Sequence, residues 1–187
     1  MTQNHISIDC ETMGTANDAL LLSIGAVAFD PLSGQVLEEF HAIIDQDGAH
    51  AVGSIDASTV FWWMRQGEAA RDALFANDLE RVTLRAALDG LAAMVSRYPG
   101  AVVWQRGNKD SEWIASACQS QSMRCPWRYW QVRDQRTLAK LFEHVPFEQI
   151  GGEVKHNALA DAKNQAAHVS AIFQHLQRCG ALAVGQA

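Results

Sequence analysis

The chain has 187 residues, 48% hydrophobic and 19% charged, which gives room for one domain with a sizeable core and little room for two. Its formal net charge of −6 argues against a passive nucleic-acid binder, which carries an excess of Lys and Arg. The same charge leaves a metal-dependent nuclease open, because bound divalent cations offset an acidic site. No apolar run reaches the roughly 18–20 residues that a membrane helix needs. The opening MTQNHISID lacks a basic stretch followed by an apolar one, so no secretory signal is expected and a cytoplasmic location is. Cys10, Cys118, Cys125 and Cys179 form no CxxC pair, as expected of reduced thiols.

The first expected element is a strand over 5–10. A second, LLSIGAVAFD, follows at 20–29, with turn residues Pro31, Ser33 and Gly34 after it, and a third, QVLEEFHAII, at 35–44. Three strands joined by short turns predict an antiparallel meander. Short helices are expected over 56–66 and 68–76. Residues 83–98 have helical spacing, with Leu84, Leu88, Leu91 and Val95 on one side. AVVWQ at 101–105 reads as a short buried strand, followed by a helix over 110–121, a strand near 129–133 and a helix near 135–143. The last helix is expected over 158–178, with Leu159, Ala162, Ala166, Val169, Phe173 and Leu176 along its apolar face. Meander first and alternating elements afterwards predict an α/β fold, a mixed sheet with helices packed on it. One domain over 1–187, with its core at about 5–178, is expected.

The chemistry is concentrated in a few acids. Side chains alternate along a strand, so Asp9 and Glu11 share a face and Cys10 points away from them. A lone DxE most often marks a solvated strand end, and it becomes informative when more carboxylates converge on it. Two candidates exist, Asp110 in WQRGNKDSEW and Asp161 in KHNALADAKN, with His156 five residues before Asp161. Each has a plain explanation alone. Asp110 would serve as a helix N-cap, Asp161 would sit near a positive helix terminus, and His156 would be an ordinary loop histidine.

Together, IDCET, the central Asp110 and the His-x4-Asp of 156–161 resemble the DEDDh exonucleases of the DnaQ-like, ribonuclease H-like superfamily, over about residues 5–175. IDCETMG, STVFWWMRQGEAAR and RDQRT look like a subgroup with a WWxxQ segment, which includes mycobacterial-type 3′–5′ exoribonucleases and T4-type phage exonucleases. Many of those relatives carry an aromatic residue before the central Asp, where this chain has Lys109.

The resemblance implies a ribonuclease H-like sheet of three antiparallel strands followed by two parallel ones. It implies two divalent cations, Mg²⁺ or Mn²⁺, held by Asp9, Glu11, Asp110 and Asp161, with His156 as general base. Oxygen ligands suit those ions, and no His/Cys cluster with zinc spacing is present. The implied activity is a 3′–5′ exonuclease that releases nucleoside 5′-monophosphates. The implied partner is a single-stranded 3′ end, RNA favoured over DNA, with no membrane and a homodimer left open. The alternatives are an exodeoxyribonuclease and a catalytically inactive nucleic-acid-binding module. Thr12 and Met13 are implied to contact the terminal nucleotide, Trp62 or Trp63 to stack on a base, and Gln66 to bond a sugar or base edge. Two adjacent helical tryptophans point in different directions, so one of them is expected in the core. Arg124, Arg128, Arg133 and Arg136 are interleaved with Trp127, Tyr129 and Trp130, a stretch that would track a phosphate backbone or form a strand with solvated arginines. The structural reading is favoured for Arg133 and Arg136. His144, His168 and His175 are expected as surface or packing residues.

Overall fold

A computed structural model describes residues 4–47, 52–152 and 155–182; the two ends of the expected domain, 1–3 and 183–187, lie outside the described residues. Strands β1 (His5–Thr12), β2 (Leu21–Phe29), β3 (Val36–Ile43), β4 (Val102–Gln105) and β5 (Val132–Asp134) form one sheet in the order β3-β2-β1-β4-β5. β1 and β2 pair antiparallel, as do β2 and β3, whereas β4 is parallel to β1 and β5 is parallel to β4. Among the described residues, six α-helices surround the sheet: α1 (Ala57–Met64), α2 (Glu68–Phe75), α3 (Leu84–Ser96), α4 (Lys109–Ser120), α5 (Gln135–Leu141) and α6 (Ala158–Arg178). This is the expected ribonuclease H-like α/β architecture.

The alternation along β1 divides the molecule into layers. Ile6, Ile8 and Cys10 face the larger core, where they join Leu88, Leu91 and Met94 of α3 and Ile114 and Cys118 of α4. On the other face, Val27, Phe29 and Trp104 pack on Ala162, Ala166 and Val169 of α6. Burying each Val, Leu or Ile side chain contributes about 1.5–3 kcal/mol, so both layers hold the sheet firmly. The small residues of α6 have a second role. A Cβ on Gly25 would lie 2.2 Å from the Ala158 carbonyl carbon, and Gly25 is the register partner of Asp9. Only glycine lets the first turn of α6 descend onto the sheet at that point.

The expected strand near 129–133 needs correction. Tyr129–Gln131 is a single 3-10 turn, and the strand is only Val132–Asp134. The side chain of Gln131 accepts from the Arg128 amide at 2.8 Å and donates to the Ala101 carbonyl at 2.8 Å. A local polar cap therefore overrides the β propensity of the aromatic pair. Strand β1 runs on through Thr12, with an irregularity in its pairing between Glu11 and Thr12.

Candidate active site

Four acids come together at the C-terminal end of β1. Asp9 and Glu11 lie on the face of β1 covered by α6. Asn157 caps α6 by accepting from the Ala160 amide at 3.0 Å, which places Asp161 in the first turn. Gln165, one turn further on, donates to Asp9 Oδ1 at 2.8 Å, and the Ser7 hydroxyl contacts Gln165 Oε1 at 3.4 Å. Asp110 is the second residue of α4, not its N-cap, which is Asn108. Its carboxylate accepts from the Cys10 amide at 2.9 Å across the sheet. Lys109, in the place where many relatives have an aromatic residue, donates to Asn17 Oδ1 at 2.7 Å and leaves Asp110 buried.

The electrostatics record a cluster that lacks counter-charge. Burial and the charges of Asp110, Glu11 and Asp161 push the Asp9 carboxyl far above the usual carboxylate range, against the Gln165 hydrogen bond. Glu11 is pushed to about 8 by burial and by Asp161 and Asp110. Asp110 rises to about 7 through burial, opposed by amide hydrogen bonds and by Arg136. Burial also raises Asp161, against the pull of His156, the His156 and Asn157 amides and Arg106. No Lys or Arg forms an ion pair with any of the four among the described residues. The ligand atoms of Glu11, His156 and Asp161 lie within 4.8 Å of one another. Oxygen-rich donors, close together and short of positive charge, fit a hard divalent cation. Cys10 beside them is no competing nucleophile, because burial and the nearby carboxylates hold its thiol protonated.

His156 has φ of +59°, a left-handed conformation uncommon for a side chain of its size. Its ring lies edge-on to Trp62, 4.7 Å between centroids, and 6.1 Å from Trp63. Two cavities meet here. The polar one, of about 340 Å³, is lined by Asp9, Glu11, His156 and Asp161 with Arg106 and Gln165 among others. The apolar one, of about 420 Å³, is lined by Thr12, Gly14, Trp62, Trp63 and Trp113. Cys10 and Glu11 border both.

The remaining sequence candidates divide. Trp62 is 41% exposed at the apolar cavity, whereas Trp63 is 3% exposed and donates its indole N–H to the Thr12 carbonyl at 2.9 Å. The buried tryptophan thus fixes the backbone that follows the acids. Met13 packs on Leu22, Trp63 and Leu74. The Gln66 amide donates to the Trp62 carbonyl at 2.9 Å, and neither Met13 nor Gln66 is among the residues lining the two cavities. Asp110 is 5% exposed and is not among the residues lining the two cavities. Asp134 of RDQRT starts α5 by accepting from the Arg136 and Thr137 amides.

Sequence reasoning missed Gln165, Trp113, Arg106 and the cavity position of His168. Gln165 and Trp113 follow Asp161 and Asp110 by one helical turn, so helical spacing from each acid was a usable signal. Arg106 lies in a loop, where periodicity says nothing. His168, stacked flat on Phe147 at 4.0 Å and bonded to the Gln135 amide at 2.9 Å, packs as expected and also lines the polar cavity.

The fold is shared with solved exonucleases. A 3′-exonuclease in a structure of 3′-end-specific recognition of histone mRNA stem-loop superposes with a TM-score of 0.61 at 12% identity, covering 96% of this chain and 83% of that one. The nuclease domain of 3′hExo, a DEDDh family member bound to rAMP, gives 0.56 at 14% identity, with 96% and 94% covered. Exonuclease I of E. coli, in a zinc-bound complex with single-stranded DNA, gives 0.67 at 12% identity, covering 97% of this chain and 42% of that one. No curated protein matches in sequence. The decisive match is to a sequence family, for residues 4–173 fit the Rv2179c-like 3′–5′ exoribonuclease domain, and the chain, a hydrolase with 3′–5′ exonuclease chemistry, belongs to that family.

Proposed function

We propose that the protein is an exoribonuclease that shortens single-stranded RNA from its 3′ end and releases nucleoside 5′-monophosphates. The observation that carries this reading is the uncompensated cluster of Asp9, Glu11, Asp110 and Asp161 beside His156, in a chain of an exoribonuclease family. Asp9, Glu11, Asp110 and Asp161 would hold two divalent cations, with the Cys10 amide orienting the Asp110 carboxylate. Bound there, the ions would supply Lewis-acid stabilisation of the phosphoryl oxygens and a water that loses its proton near neutral pH. His156 would accept a proton from the attacking water, and the Trp62 and Trp63 rings hold its imidazole in place. Gln165 keeps Asp9 oriented. The 3′-terminal base stacks in the apolar cavity on Trp62.

The test is digestion of matched 5′-labelled RNA and DNA oligomers with EDTA, Mg²⁺ or Mn²⁺. The expected result is an RNA ladder that shortens one nucleotide at a time, with no activity in EDTA. Equal use of DNA would remove the ribonuclease label. Activity in EDTA would remove the metal reading.

A further inference from the structure

The polar cavity has a side that the carboxylates do not occupy. Arg106 stands there, directly after β4. The turn beneath it is pinned: Gly107 has φ of +99° and its N–H donates to Asp134 Oδ1 at 2.8 Å. The Arg136 guanidinium lies beside the same turn, 3.7 Å from where a Gly107 Cβ would be. The Arg106 side chain itself is exposed. It is the one Lys or Arg among the described residues lining the cavity. Among the described residues its side chain is in none of the ion pairs and takes no part in the side-chain hydrogen bonds that hold its neighbours Gly107, Lys109 and Ser111, although a guanidinium offers five donors. It lies close enough to influence Asp161 and His168, yet it neutralises no carboxylate by pairing.

We propose that Arg106 binds the phosphate immediately 5′ of the scissile one. The inference rests on the exonuclease reading above. Its geometry is a division of the substrate across Glu11. The apolar cavity, with Trp62 and Trp113, suits a base. The acids and His156 suit the scissile phosphate. The chain upstream must then leave through the polar cavity, where its next charge meets an unpartnered guanidinium fork, the side chain best matched to phosphate oxygens. Arg106 is thus a positioning residue. It anchors the backbone on one side of the reacting phosphate while the stacked base anchors it on the other, which fixes the cleavage register at one nucleotide.

The experiment uses the full chain and 5′-labelled RNA oligomers in which single linkages are replaced by neutral methylphosphonates. In the wild-type protein, neutralising the linkage next to the scissile one should lower kcat/KM about 10–100-fold, and neutralising linkages further upstream should cost much less. Arg106→Gln should lose about the same factor on the all-phosphate oligomer and lose nothing more from the neutral linkage. Its log–log salt dependence should flatten by about one charge. Arg106→Lys should recover part of the rate. A neutral-linkage penalty that is the same in wild type and Arg106→Gln, or a wild-type penalty spread evenly along the oligomer, overturns this inference alone. No shortening of the all-phosphate oligomer by the wild-type protein overturns the exonuclease reading and this inference with it.

Discussion

His5 and Asp9 stand on the same face of β1, about 13 Å apart along the strand, and both are covered by α6. At the first end the protein completes its own chemistry. His5 is 5% exposed, accepts the Trp104 indole N–H on Nδ1 at 3.0 Å, and meets the rings of Phe29 and Phe173 edge-on. Burial pushes it down to about 4 against the charge of Asp30, so it is a neutral imidazole with its acceptor satisfied. At the second end, burial raises Asp9, Glu11, Asp110 and Asp161, the neighbouring acids raise Asp9 and Glu11 further, and among the described residues the protein supplies hydrogen bonds but no paired Lys or Arg. A buried titratable group is therefore no sign of function by itself. The sign is a buried group whose partner the fold leaves out.

The sharpest way to break this contrast is to remove one acid. Asp9→Asn should abolish most turnover, because a ligand charge is lost at the centre of the cluster. The Gln165 contact survives, since the new amide oxygen still accepts. Near neutral pH the metal-free variant should melt at a higher temperature than the metal-free wild type, because a group whose ionisation the fold opposes is replaced by a neutral amide. Calorimetry in EDTA beside a turnover assay checks both. A variant with normal turnover would place the reaction elsewhere.

The next effect belongs to His156. Its left-handed backbone makes alanine a poor probe, whereas asparagine tolerates that conformation. His156→Asn should lose about 10²–10⁴-fold in kcat with its melting temperature nearly unchanged. A lower melting temperature with normal kcat would reduce His156 to a loop residue packed on Trp62.

The two tryptophans repeat the contrast on a smaller scale. Trp62→Ala should weaken substrate use about 5–150-fold, the equivalent of roughly 1–3 kcal/mol of stacking, with little change in base preference or stability. Trp63→Ala should cost about 3–5 kcal/mol of stability, because a buried ring and the Thr12 contact disappear together. Denaturant titration and kinetics on both variants separate the roles, and the reverse pattern would exchange them.

The difference between the two ends also explains what the sequence could reveal. The DxE on β1, the spaced His and Asp before and inside α6, and the apolar faces of α3 and α6 follow from periods of two and 3.6, so they were legible. The closeness of α6 to the sheet depends on Gly25 facing Ala158, a contact between residues 133 positions apart that no local pattern encodes. The turn at Tyr129–Gln131 was misread because Gln131 reaches the distant Ala101 carbonyl. His5 carried no motif, and its neutrality depends on Trp104, 99 positions away. Arg106 was invisible for the same reason, since only the folded chain sets its loop beside Asp161.

The smallest effect, and the one that sets the two ends directly against each other, is the pH dependence of stability. Glu11 and Asp110 titrate at about 8 and about 7 in the fold, above their ordinary values of 4.5 and 3.8. Carboxyls raised in this way give stability that is fully present below the unfolded values and is lost as pH climbs through the folded ones. His5 has the opposite sign. Its folded value of about 4 lies below the ordinary 6.5, so its contribution is present above 6.5 and is lost as pH falls toward 4. In EDTA, the acids' contribution should therefore fall from about pH 4.5 to about pH 8; His5 opposes it up to about pH 6.5, so the melting temperature should drop most clearly between about pH 6.5 and about pH 8. Saturating Mg²⁺ should remove that fall, since it binds the ionised carboxylates and not their protonated forms. The His5 loss, between about pH 6.5 and 4, overlaps the acids' window with the opposite sign, so it is read as the difference between wild type and His5→Gln, and that difference should be nearly insensitive to Mg²⁺ because no ligand is missing at that end. Melting curves across both windows, with Mg²⁺ and with EDTA, decide the matter. A cation that altered the difference between wild type and His5→Gln as strongly as it altered the acidic fall would show that both ends of β1 are built for the same ligand.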